Sequence, residues 1–285
     1  MREPATYQRC FPARSTLPLT ILLLCLGAIL LPVRIQAASS GRPDNPGFQQ
    51  AVADYRYLFP SDHGSHDEFR TEWWYYTGHL TAENGRRFGY QVTFFRRGIA
   101  DERVRNNPSR WAIRQLYLAH AALSDRSAQR FLFAEKVSRA GLGKAGAESE
   151  RLHVWIDRWA VEASTPVHDR QHLRASAEKF SLDLTLKAEK PPIVHGEGGV
   201  SRKGEGYGQA SHYYSLTRLA TTGTVVIDGT RLAVTGTSWM DHEFGSGDLG
   251  DNQVGWDWFS IQLHNQTELM LYRLRRADGT ADPVS

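Results

Sequence analysis

Glu72-Trp73-Trp74-Tyr75-Tyr76-Thr77-Gly78-His79-Leu80, followed by Asn84-Gly85 and then Phe88-Gly89-Tyr90-Gln91-Val92-Thr93-Phe94, is the stretch on which the fold turns. Trp73, Tyr75, Thr77 and His79 alternate with Trp74, Tyr76, Gly78 and Leu80, the period of two that belongs to a strand with aromatics on both faces. Asn84-Gly85 supplies the positive φ angles of a tight hairpin, and Phe88, Tyr90, Val92 and Phe94 read as the returning strand. The same grammar puts a turn at Asp228-Gly229 between Val225-Val226-Ile227 and Leu232 to Val234, and another at Asp278-Gly279 after Leu269 to Leu274. Further strands are predicted at Leu116 to Leu123, Phe131 to Glu135, Leu152 to Ile156, Phe180 to Leu186 and His212 to Leu219. No segment carries a sustained helical stripe. The chain therefore reads as all-β, with antiparallel sheets closed into barrels or sandwiches. Gly141 to Glu150 and the glycine-rich Pro191 to Gly208 read as loops, and a boundary between two β domains, 59–190 and 191–285, is placed at the start of the second.

The 285 residues, 41% hydrophobic and 23% charged, describe a globular chain rather than a disordered or multi-span one. Residues 1–37 have the layout of a signal peptide: arginines, the apolar run Leu17 to Leu31, then Gln36-Ala37 before a linker over 38–58. The expected location is periplasmic or extracellular. That leader holds four arginines and one acid, so removing them from 34 basic and 31 acidic residues leaves a neutral body, with no electrostatic case for a nucleic-acid partner. Both cysteines, Cys10 and Cys25, fall in the leader, which excludes a cysteine nucleophile or cysteine-ligated metal from the mature chain.

The densest chemistry is Trp239-Met240-Asp241-His242-Glu243-Phe244. On a strand Asp241 and Glu243 share one face, where one carboxyl can be held protonated as an acid catalyst; the alternative is a strand end whose acids pair with arginines or turn amides. Asp62-His63-Gly64-Ser65-His66-Asp67-Glu68 offers two histidines without an evident third ligand, which favours a polar loop over a metal centre. The Gly196 to Gly204 tract matches neither phosphate-loop pattern, and no nucleophile elbow is present. Aromatics at Trp73, Trp74, Tyr76, Tyr213, Trp239, Trp256 and Trp258, with Asp257 between the last two, are predicted to line an apolar ligand cavity. A plain β core is the competing reading, weighed down by the interleaved His212, Asp241 and Asp257.

These segments together resemble the AttH-like family of exported proteins related to carotenoid 1,2-hydratase. The resemblance rests on Asp62-His63-Gly64, Glu72 to Gly78, Gly89-Tyr90-Gln91 through Phe95-Arg96, His120-Ala121-Ala122-Leu123 with Asp125, His195-Gly196, Ser211 with Tyr213-Tyr214-Ser215, Trp239-Met240-Asp241 and Gly255 to Phe259. It implies two consecutive lipocalin-like antiparallel β-barrel domains acting on a hydrophobic small molecule such as an isoprenoid or acyl lipid, without a cofactor. Asp241 would be the acid of a hydratase or hydrolase, with His212 or Tyr214 orienting water and Glu243 in support. The alternative is a non-catalytic lipid-binding component beside an ABC transporter permease. The Glu-Trp-Trp-Tyr segment marks the AttH-like branch rather than the photosynthetic hydratases. Because relatives continue past Pro283-Val284-Ser285, the second barrel is expected to be incomplete.

Overall fold

The computed structural model describes residues 47–164 and 170–285. The expected signal peptide, and the linker up to residue 46, lie outside these. Among the described residues fifteen strands form in chain order: β1 (Thr71–Ala82), β2 (Arg87–Gly98), β3 (Gln115–Asp125), β4 (Arg130–Arg139), β5 (Ala145–Ala147), β6 (His153–Ile156), β7 (Trp159–Ala163), β8 (Arg170–Ser176), β9 (Phe180–Ala188), β10 (Ile193–Val194), β11 (Ser201–Arg202), β12 (Ala210–Ile227), β13 (Thr230–Gly245), β14 (Gln253–Gln262) and β15 (Glu268–Arg276). All named strands pair antiparallel, in the order β4-β3-β2-β1-β13-β12-β9-β8-β7-β6-β5, with β10 and β11 added along β12. The end strands β4 and β5 come close to one another, so the sheet curls into a nearly closed lipocalin-like barrel. A separate two-stranded hairpin, β14–β15, lies outside it.

The hairpins predicted at Asn84-Gly85 and Asp228-Gly229 are present, with Gly85 and Gly229 at φ +80° and +78°. The expected division at 190/191 does not divide the sheet. β12 and β13 follow that point in the chain yet sit between β1 and β9, because the long hairpin supplies the strands that close the barrel wall. Two stretches expected to be loops also pair: Ala145–Ala147 with β6, and parts of 191–208 with β12.

The barrel is filled rather than hollow. Trp74, Tyr76, Leu80, Phe88, Tyr90, Val92, Phe94, Leu123, Trp159, Leu184 and Tyr214 meet in one buried cluster. Polar tips inside it are paired: Tyr76 donates to Gln171 Oε1 at 2.8 Å and Tyr90 to Ser238 Oγ at 2.7 Å. Gly78 lets that wall close. A Cβ there would lie 2.5 Å from Ser238 Oγ and 2.7 Å from Thr237 O. Gly78→Ala is therefore expected to cost about 1–3 kcal/mol by overpacking, read as a lower urea midpoint at unchanged m value.

Candidate functional site

Two polar clusters lie back to back across β12 and β13, because alternate residues of a strand face opposite ways. Beyond a register shift between Leu216 and Leu219, β12 pairs Tyr213 with Glu243, Tyr214 with His242 and Ser215 with Asp241. β1 adds Trp73 opposite Glu243 and Tyr75 opposite Asp241. Trp73, Tyr75, Tyr213, Ser215, Trp239, Asp241 and Glu243 thus share the outer face. Trp74, Tyr76, His212, Tyr214, His242 and Phe244 face inward.

On the outer face Asp241 is 4% exposed, and its Oδ1 accepts from Trp239 Nε1 at 2.6 Å and from Ser215 Oγ. Burial raises its pKa to about 7; the hydrogen bonds from Ser215, Trp239 and Tyr213 pull the other way but do not win, and the charge of Glu243 adds to the rise. Glu243, two residues on, has Lys203 Nζ at 2.9 Å and accepts from Ser211. Ser215 Oγ also meets His195 Nε2 at 2.7 Å, and the His195 ring lies 4.2 Å from that of Tyr213. The β14–β15 hairpin covers this face with its tryptophans. Trp258 sits edge-on to Tyr75 and Trp239 and donates to Tyr213 Oη at 3.2 Å, while Trp256 stacks over Trp73 at 6.4 Å. Gln262 Nε2 holds the hairpin to the carbonyls of Thr217 and Ser238. The result is a protonatable carboxyl walled by indole and phenol rings.

On the inner face a strap, residues 50–69, crosses the barrel end and brings His63 and His66 against the strands. Glu72 is fully buried. Its Oε2 accepts from Arg96 Nε at 2.9 Å and its Oε1 from His66 Nδ1 and His242 Nε2, each at 2.8 Å. Burial alone would raise the Glu72 pKa, but Arg96 and the two histidines hold it well below the usual range. His66 is desolvated too, yet its bonds to Asp62 and Glu72 lift it to about 9. Burial holds the His242 pKa below its ordinary value, against the pull of Glu72. The Tyr214 hydroxyl donates to Asp62 O at 3.2 Å and lies 3.0 Å from His242 Nδ1 and 2.7 Å from His63 Nδ1, so the strap and the strands share one buried polar network.

His66, Glu72 and His242 bring three ligand-capable atoms within 4.8 Å of one another. Two of the separations are 2.8 Å, whereas tetrahedral ligands at 2.0–2.1 Å from zinc stand about 3.3 Å apart. With Arg96 already neutralising the carboxylate, the set fits a hydrogen-bond network better than a cation.

The structure thus splits the expected catalytic group. Asp241 and Glu243 stand together, but His212 and Tyr214 point to the other side of the sheet, where His212 bonds Gly199 O and packs 4.4 Å from Tyr55. Neither can orient water for Asp241. Of the expected ligand-lining residues, Trp73, Tyr213, Trp239, Trp256 and Trp258 gather on the outer face, while Trp74 and Tyr76 are core. Asp257 turns away into ion pairs with Arg273 and Arg275. Ser215, His195 and Tyr75 beside Asp241, and Glu72 and Arg96 inside, were not singled out as site residues from sequence.

The profile of the AttH-like family matches residues 50–285. The chain belongs to the AttH-like family. An AttH-assigned crystal structure from Nitrosomonas europaea is 37% identical, covering 82% of this chain and 69% of that one with a TM-score of 0.74. Kievitone hydratase from Nectria haematococca shares the fold at 15% identity and a TM-score of 0.55, over 84% of this chain and 71% of that one. No curated protein matches in sequence. For this AttH-like chain, shared fold and family fix the architecture, and the chemistry has to be read from the two clusters.

Proposed function

We propose that this chain is a cofactor-free acid catalyst that protonates an apolar small molecule, most directly an alkene of an isoprenoid or acyl lipid, and adds water. The observation that carries it is Asp241: a buried carboxyl whose pKa of about 7 keeps it largely protonated below neutrality, set beneath Trp239, Trp73 and Trp258. A carboxylic acid among aromatic rings can hand its proton to a weak carbon base, since desolvation penalises the carboxylate less once a cation forms beside it. The rings also offer π faces to that cation. Tyr213 and Ser215, rather than His212 and Tyr214, are placed to position the acid. The reaction class is that in the name of kievitone hydratase, a protein linked to this chain by fold alone.

The test is incubation of the full chain with a panel of acyclic isoprenoid alkenes and unsaturated acyl lipids in oxygen-18 water, followed by mass spectrometry. Labelled alcohol is expected from the wild type and at least about a hundredfold more slowly from Asp241→Asn, with both retaining the same lipids on extraction. Equal product from Asp241→Asn overturns the assignment, and retention of lipid with no product from any alkene moves the chain to the binding reading.

A further inference from the structure

We infer that Asp241 is recharged through a built proton path, Asp241 Oδ1 to Ser215 Oγ to His195 Nε2, whose outer end is the His195 ring. The inference rests on the reading of Asp241 as the acid. Its geometry does not depend on any ligand. Asp241 is 4% exposed and bonded by Trp239, with Trp258 edge-on to Trp239 and bonded to Tyr213, so bulk water has little direct access to the carboxyl. Ser215 Oγ touches both Asp241 Oδ1 and His195 Nε2, the latter at 2.7 Å, and a hydroxyl can accept one proton as it releases another. His195 follows β10, is partly exposed, and among the described residues has no hydrogen-bond partner at Nδ1.

The groups facing this path are consistent with a neutral shuttle. Tyr213 stacks on His195, Lys203 lies over the Tyr213 ring, and Glu243 is paired with Lys203 and Ser211. Trp258 comes from β14 and Tyr75 from β1, neither of them charged. Burial, with the Lys203 charge behind it, pushes His195 down to about 4, so the imidazole is neutral at pH 7. A neutral ring passes protons by taking one from solvent at Nδ1 while releasing that on Nε2. Per turnover the Asp241 proton ends on the substrate carbon, the water that adds at the neighbouring carbon loses one proton to solvent to leave the alcohol, and one proton enters by this route as Ser215 forwards its own to the Asp241 carboxylate. None is gained or lost overall.

The experiment needs no substrate. Rapid-mixing infrared spectroscopy follows deuterium entering the protonated-carboxyl band that Asp241→Asn removes. In the wild type the exchange should speed up with buffer concentration, because His195 collects the proton. Ser215→Ala and His195→Gln should slow it by roughly tenfold or more and abolish the buffer dependence, whereas Ser215→Thr should keep both. Glutamine at 195 can still bond Ser215 but cannot relay, so a merely structural role would leave the rate unchanged. Exchange at the wild-type rate in folded Ser215→Ala or His195→Gln overturns the path. A band that survives in Asp241→Asn instead overturns the acid itself, so the two failures are told apart.

Discussion

Glu72→Gln is expected to lower the unfolding free energy by about 3–5 kcal/mol, the usual cost of leaving one member of a buried ion pair behind. The glutamine fills the same space. What is lost is the charge that faces Arg96, itself fully buried, and the acceptor shared by His66 and His242. The pH dependence should identify the cause. A carboxyl depressed by folding contributes above its unfolded pKa near 4.5 and loses that contribution as pH falls towards its folded value. His66, raised to about 9, contributes fully below 6.5 and loses it as pH climbs through about 9. Wild-type stability should therefore decline at both ends, and Glu72→Gln should flatten the acid limb and weaken the alkaline one, where Asp62 still holds His66. Urea midpoints at acid, neutral and alkaline pH decide it; a loss below about 1 kcal/mol would show that the network is incidental. Adding Arg96→Met to Glu72→Gln should restore part of the loss, since the orphaned charge goes with it.

Strands and turns were legible because their signals are local: period-two aromatics in β1 and β2, Asn84-Gly85, and Asp228-Gly229. Which side of a strand faces the core is not local. Trp74 and Tyr76 share chemistry with Trp73 and Tyr75, and only the closed barrel decides that the first two are buried in the core while the others look out to β14–β15. The acid site was half legible for a similar reason. Asp241 and Glu243 are two apart on one strand, so their shared face follows from the sequence. Their cross-strand neighbours do not. Counted outward from Asp228-Gly229, where Ile227 pairs with Thr230, an unbroken ladder would set Leu216 against Asp241 and Tyr214 against Glu243. The irregularity between Leu216 and Leu219 moves the register by one, which turns His212 and Tyr214 inward and delivers Tyr213 and Ser215 to the acids. No residue in that stretch announces a bulge. The inner network was missed because its members come from the strap, β1, β2, β12 and β13, and long-range pairing of single polar residues leaves no periodic trace.

Asp241→Asn is expected to do the reverse of Glu72→Gln: it should stabilise the protein at alkaline pH while turnover falls by about 10²–10⁴-fold, the usual worth of a positioned acid. The two carboxyls lie on opposite faces of the same part of the sheet, and burial acts on both. Glu72 has a guanidinium and remains charged; Asp241 has only neutral donors and is driven towards its protonated form. A group whose pKa rises from about 3.9 unfolded to about 7 folded contributes fully at low pH, and that contribution disappears as pH passes from about 4 to 7. At 1.36 kcal/mol per unit, the wild type should lose on the order of 4 kcal/mol from this group by pH 8. Asparagine keeps an oxygen for Trp239 and Ser215 and never ionises, so the variant should match the wild type near pH 4 and exceed it at pH 8. Denaturation at the two pH values, with the labelled-water assay alongside, tests the pair of effects. A pH-independent difference would mean that Asp241 is ionised throughout and cannot serve as the acid. A gain in stability that coincides with lost turnover would identify a residue kept at the expense of the fold for the reaction it performs.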